Sequence, residues 1–151
     1  MKKLWILGAV ALFGAGTLAV QAAAAPADSV KYRQSMMRGV GAAMGNLSAM
    51  VKGDVKFGNN HLRANAESLA WLSSLSREAF LENTGTTGPT KAKANIWSNW
   101  SDYAGKAQAL EIEAGKLVEL ARAPNPNMAA IGEQMKAVGG ACGACHKEFR
   151  E

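Results

Sequence analysis

Apolar residues recur at helical spacing from about residue 27 to the end of this chain. The first segment with this pattern covers about 27–52. Asp28 or Ser29 is expected as its cap, and Gly53 is expected to stop it. Its apolar stripe alternates steps of three and four residues, which predicts one buried helix face: Met37, Val40, Met44, Leu47 and Val51.

The next two segments repeat this spacing. The second covers about 60–80 and precedes a loop over 83–89, and its inward residues are Leu62, Ala66, Leu69, Leu72 and Leu75. The third keeps the rhythm for more than three heptads and ends at Pro124. Its stripe is Ile96, Trp100, Tyr103, Ala107, Leu110, Ala114, Leu117 and Ala121.

A fourth segment restarts at Asn125-Pro126 or at Asn127, since proline suits the first turn of a helix, and runs almost to the C-terminus. Its stripe is Ile131, Met135, Val138, Cys142, Cys145 and Phe149. No segment alternates as a half-buried strand would. Four such stripes with short connections predict an all-α fold, an up-down-up-down four-helix bundle.

The first 25 residues have the layout of a cleaved secretory signal. Lys2 and Lys3 form a positive start, 4–20 is uncharged and apolar, and 21–25 ends in small residues. Cleavage after Ala22 or Ala25 is compatible with this layout, and we take Ala25. We therefore expect a signal peptide at 1–25, a single domain at 26–151, export to the periplasm and no stable membrane insertion after cleavage.

Charge narrows the functional classes. The signal holds two of the 17 basic residues and none of the 12 acidic ones, so the remaining 126 residues carry a net charge of +3. No basic run has interleaved aromatic residues, so we expect no nucleic-acid partner. His61, the only histidine besides His146, has no visible catalytic partner in the sequence, and we expect a protein that is not an enzyme.

The most informative motif is Cys-Gly-Ala-Cys-His in the fourth segment. On a helix, Cys142, Cys145 and His146 stand at i, i+3 and i+4 and leave from one face. Each thiol can add to one vinyl group of a porphyrin while the imidazole reaches the iron as an axial ligand. A bare CxxC also serves thiol redox chemistry or zinc binding, but the histidine and the export signal favour one covalently attached haem c per chain, inside the bundle.

The other side of the iron is expected to face the first helix. Five residues follow His146 and none is methionine, whereas Met135 lies on the same helix and cannot reach the opposite haem face. The end of helix four should lie beside the start of helix one, and there Met37 is on the stripe with Met36 next to it. Whether Met37 bonds the iron or only covers it does not follow from spacing. The same argument predicts a pocket wall made of Phe80, Ile96, Trp97 and Trp100.

The chain resembles class II cytochromes c, and most closely the cytochrome c′ family. The matching stretches are 31–37, 50–53, Phe80, 96–98 and 142–150. The resemblance implies that Cys142 and Cys145 hold the haem and that His146 is the proximal ligand, with Arg150 beside it. It implies that Arg33 and Gln34 lie near a propionate, and that Met37 stands where the family places a bulky apolar residue over an empty sixth site. Periplasmic homodimers through helices one and two, which bind nitric oxide or carbon monoxide, are typical of the family.

Two functions remain open at this point. The first is a five-coordinate haem protein that binds small gases, with Met37 as a steric filter. The second is a low-spin electron-transfer cytochrome with a redox partner protein, in which a helix-one methionine is the sixth ligand, as in some relatives with the same fold. Three glycines of helix one, Gly39, Gly41 and Gly45, either permit close helix approach or are simply tolerated.

Overall fold

The computed structural model describes residues 26–56, 58–81 and 88–151. The predicted signal peptide and residues 83–87 of the predicted loop lie outside them. The described chain forms five helices, which are α1 Pro26–Lys52, α2 Asn59–Glu78, α3 Asn95–Ser98, α4 Trp100–Arg122 and α5 Met128–Phe149. Among the described residues, no helix is long and apolar enough to cross a membrane.

The four long helices form the predicted bundle. Helix α2 packs against α1 and α4, and α5 packs against α4 and α1, so α2 and α5 stand diagonally across the bundle. The fully buried side chains come from all four helices, with Leu47, Leu69, Leu117 and Ile131 as examples. Since each helix contributes one apolar stripe to a shared core, the all-α prediction is confirmed.

Helix ends agree with the sequence except in two places. Gly53 ends α1 with a φ of +76°, a conformation that favours glycine, and Asn127 caps α5 by accepting hydrogen bonds from the backbone of the first turn. The expected cap of α1 is wrong, because Asp28 and Ser29 already lie within the helix. The predicted third helix is interrupted at Asn99, whose φ of −114° and ψ of 41° separate α3 from α4.

The buried face of α1 is rotated relative to the prediction. Met36 is buried at 3 % exposure, whereas Met37 is only half-buried. The stripe of large apolar residues was misleading because the true inward face includes the charged Arg33 and the small Ala43. The inward residues of α1 are Val30, Arg33, Met36, Val40, Ala43, Leu47 and Met50.

A similar drift occurs along α2. Its first inward residues are those predicted, Leu62, Ala66 and Leu69. Towards the C-terminus the buried positions are Ser73 and Ser76, while the predicted Leu72 and Leu75 are half-buried. The buried positions keep alternating steps of four and three residues, whereas the predicted ones continued in steps of three, which fall short of the 3.6 residues in a helical turn and so leave the core face.

Candidate haem site

The Cys-x-x-Cys-His motif lies in the last two turns of α5. Cys142 and Cys145 are half-buried free thiols, and His146 is more exposed than either. Cys142 packs against the central core, and Cys145 packs against an aromatic cluster at the end of the bundle. The two thiols therefore face the inside of the bundle on one side of one helix, as attachment to a single porphyrin requires.

The electrostatics of the two thiols argue against thiol redox chemistry. Burial raises the pKa of Cys142, and burial is also the main reason that the pKa of Cys145 is raised. Reactive cysteines of redox motifs have a lowered pKa, because the thiolate is the nucleophile. The raised pKa of each thiol instead favours its protonated form.

His146 and Arg150 are neighbours at the end of α5. The backbone N–H of Arg150 donates to the carbonyl of His146 at 3.1 Å. Burial, and then the nearby charge of Arg150, lower the pKa of His146. Both effects favour the neutral imidazole, which is the form that can bind a metal ion. The predicted proximity of Arg150 to the histidine is thus present in the structure.

A short backbone pairing holds this end of the helix. Lys93 N–H donates to the carbonyl of Phe149 at 3.0 Å, and Glu151 N–H donates to the carbonyl of Lys91 at 2.8 Å. Ala92 and Arg150 form the β-bridge between these bonds. The segment before α3 is thereby fixed against the residues that follow the histidine.

An aromatic cluster lies beside Cys145. It comprises the buried residues Phe80, Ile96, Tyr103 and Phe149, with Trp97 and Trp100 packed against them. The ring centroids of Phe80 and Tyr103 are 5.1 Å apart, and Tyr103 meets Phe149 edge to face at 5.4 Å. The structure brings together the four residues that were predicted to wall the pocket. Tyr103 and Phe149 were recognised only as core positions, and their apolar spacing was their sole signal.

Tyr103 links this cluster to α2. Its hydroxyl donates to the carbonyl of Ser76 at 2.9 Å, and burial is the main cause of its strongly raised pKa. The bond satisfies one of the last carbonyls of α2, which have no partner within the helix. The phenol is therefore neutral and anchors the end of α2 to α4.

The predicted propionate residues lie at the same end of the bundle. Arg33 is 3 % exposed, with its guanidinium 4.8 Å from the ring centre of Phe80 and 5.6 Å from that of Trp97. Its Nε donates to the carbonyl of Ser29, and burial lowers its pKa. Gln34 is half-buried and donates to the carbonyl of Pro89. A cation is thus held inside the aromatic cluster, with an amide beside it at the rim.

These residues fit a covalently held haem. Two thiols and an imidazole share one helix end, aromatic rings form an apolar wall, and a buried guanidinium suits a carboxylate. No cluster of three metal-ligating side chains is present in the described part of the chain.

Comparison with known proteins identifies the family. The family model described as Cytochrome C' matches residues 28–150. The chain belongs to the cytochrome c′ family. Members of this family are haem proteins rather than enzymes, and their cofactor is covalently attached haem c. Both predictions are thereby confirmed.

Individual relatives cover nearly the whole chain. This chain is 32 % identical to cytochrome c′ of Rhodospirillum rubrum over 99 % of both chains. It is 34 % identical to cytochrome c-556 of Agrobacterium tumefaciens over 82 % of this chain and 98 % of that protein. It also superposes on a nitric oxide complex of a cytochrome c prime variant from Alcaligenes xylosoxidans, with a TM-score of 0.76 and 32 % identity over 85 % of this chain and 98 % of that one.

Proposed function

We propose that this protein is a periplasmic haem protein whose five-coordinate iron binds nitric oxide and carbon monoxide. Cys142 and Cys145 form the two thioether bonds, and His146 is the axial ligand. The observation that carries the proposal is the position of the two half-buried thiols on one helix face, with Cys145 packed against the aromatic cluster and His146 directly after it. Solved relatives of the same fold are complexes with nitric oxide.

Different residues of the chain contact different parts of the haem. Arg33 binds a propionate from within the aromatic cluster, with Gln34 at its edge, because a buried cation is stabilised by a carboxylate. Phe80 and its aromatic neighbours exclude water from the porphyrin. Burial, and then the nearby charge of Arg150, lower the pKa of His146 and so favour its neutral form. Bound haem supplies an iron centre that can take a small neutral ligand opposite the histidine.

A methionine of α1 covers that ligand position. The family resemblance assigns Met37 to this role, while burial favours Met36, which lies on the same helix face as Arg33. In either case a flexible apolar side chain must move aside before a ligand enters. Such a cap favours small uncharged diatomic molecules over anions.

The second candidate is a low-spin electron carrier with a partner protein. The two adjacent methionines favour it, because a methionine could serve as the sixth ligand and histidine–methionine ligation raises the reduction potential. The remaining proposals follow from the sequence and the family. They are export by a signal peptide ending at Ala25 and a homodimer through the first two long helices, α1 and α2.

The deciding experiment compares holoproteins carrying Met37→Ala and Met36→Ala. If a methionine is a steric cap, its removal should leave the resting iron high-spin. Carbon monoxide should then bind about tenfold faster, which corresponds to about 1.4 kcal/mol less barrier. If a methionine is a ligand, its removal should convert a low-spin optical spectrum to high-spin and lower the reduction potential.

Met44→Ala is the matched control, since this half-buried methionine lies on α1 about two turns deeper. Wild-type protein with a low-spin spectrum and no carbon monoxide binding would contradict gas binding and favour electron transfer. Unchanged kinetics in both variants would show that neither methionine covers the iron.

A further inference from the structure

Two hydroxyl groups on the inward face of α2 have no hydrogen-bond partner among the described residues. They belong to Ser73 and Ser76, which are 1 % and 2 % exposed. Buried polar groups in native proteins nearly always have a partner, because an unmatched one loses its hydration without compensation. The pair therefore points to a partner outside the described polypeptide.

The neighbouring serine shows that the helix could have satisfied such a group. Ser74 donates its hydroxyl to the carbonyl of Trp71 at 2.7 Å, a local bond that serines in helices commonly make. The hydroxyls of Ser73 and Ser76 make no such bond and instead face the bundle interior. Ser73 and Ser76 therefore differ from Ser74, whose hydroxyl is satisfied within its own helix.

Ser76 lies in the same layer of the bundle as the haem motif. Its carbonyl accepts the hydroxyl of Tyr103, and Tyr103 belongs to the cluster against which Cys145 packs. Ser73 is one turn deeper, towards the central core. Both hydroxyls therefore lie at or just below the level at which the porphyrin is attached.

These hydroxyls come from the helix opposite the histidine. Helix α2 is diagonal to α5, which carries His146. If His146 binds the iron, the open coordination position would lie away from α5. Side chains of the diagonal helix α2, together with the capping methionine of α1, would then border a bound ligand.

The propionates are expected elsewhere. Arg33 lies over Phe80, which is four residues past Ser76 and nearer the end of the bundle. Apart from its propionates, a porphyrin offers few hydrogen-bond acceptors. A diatomic ligand on the iron would supply an acceptor at the level of the serines.

We infer that Ser76, supported by Ser73 one turn deeper, donates a hydrogen bond to a diatomic ligand on the haem iron. This inference rests on the proposed function and adds a polar contact to an otherwise apolar pocket. A hydroxyl that donates to the outer atom of the ligand draws electron density onto it. The ligand is then released more slowly, and the carbon–oxygen bond of bound carbon monoxide is weakened.

The test is infrared spectroscopy of the ferrous carbon monoxide complex, with release rates measured on the same samples. Ser76→Ala should raise the carbon–oxygen stretching frequency and speed release about threefold to tenfold, as expected for loss of one hydrogen bond. Ser73→Ala should act in the same direction but less strongly. Ser74→Ala, which removes a hydroxyl that is satisfied by its own helix, should change neither quantity.

The outcomes separate the inference from the proposed function. If the wild-type protein binds no carbon monoxide, the proposed function fails and the inference fails with it. If it binds carbon monoxide and Ser76→Ala leaves the stretching frequency unchanged, only the inference is overturned. Alanine removes an unmatched polar group from a buried position, so we expect the variants to fold, and their circular dichroism should match that of the wild type.

Discussion

At the scale of single residues, Gly39 is where α1 approaches α2 most closely among the three glycines noted in its sequence. A Cβ built on Gly39 would lie 2.7 Å from Cδ1 of Leu72, whereas one on Gly41 or Gly45 would meet nothing within 4 Å. The half-buried Leu72 therefore occupies the space that a larger residue at Gly39 would need. The sequence left open whether these glycines permit close helix approach or are simply tolerated. For Gly39, the structure supports close approach.

Gly39→Ala should consequently stabilise the protein less than alanine at an unobstructed helical glycine. Gly105 in α4 is the matched control, since nothing lies within 4 Å of its Cβ position, and Gly105→Ala should gain up to about 1 kcal/mol of helix propensity. We expect Gly39→Ala to be less stable than this control in urea unfolding by up to about 1 kcal/mol, because the end of the half-buried Leu72 side chain must move. In a Leu72→Ala background the two glycine changes should become equivalent, and a persistent difference would contradict this explanation.

At the scale of elements, a side-chain cap stabilises the start of α5, the helix that carries the haem motif. Asn127 Oδ1 accepts hydrogen bonds from the N–H groups of Ala129 and Ala130 at 3.0 and 3.1 Å. The proline-containing stretch before it, 123–127, offers no helical continuation from α4. This side chain therefore stabilises the start of α5, whose last two turns carry the cysteines.

Asn127→Ala should lower the free energy of unfolding by about 1 kcal/mol, because two N–H groups of the first turn lose their acceptor. Asn125→Ala provides the comparison, since this exposed asparagine lies two positions earlier and outside the helix. Denaturant unfolding of the two holoproteins measures the difference. Equal stability of both variants would mean that water replaces the cap without loss.

At the scale of the whole molecule, the described residues form two separate buried clusters. The larger, central cluster is aliphatic and draws on all four long helices, while the smaller cluster of Phe80, Ile96, Tyr103 and Phe149 lies at the haem end. The smaller cluster is the one beside Cys145 and the buried Arg33. Haem attachment should therefore stabilise the two ends of the bundle unequally.

The double variant Cys142→Ala/Cys145→Ala, prepared without haem, should unfold at lower denaturant concentration than the holoprotein. A tightly held ligand adds on the order of 3 kcal/mol or more to the native state. Hydrogen exchange should show the loss of protection concentrated in α3 and the last turns of α5, with the aliphatic cluster retained. Equal midpoints for the two forms, or uniform loss along all helices, would contradict a haem located at this end.

The amino-acid sequence by itself determined the bundle, the family and the attachment motif, because these depend on local spacing along single helices. The burial of Met36, the inward face of Arg33 and the break at Asn99 were decided only by tertiary structure. A buried cation and a small alanine do not register as an apolar stripe, although neighbouring helices cover both. The unmatched hydroxyls of Ser73 and Ser76 likewise emerged only when α2 was packed against its neighbours. Periodicity specifies that a helix has a buried face, but the exact rotation of that face is set by the side chains that pack against it.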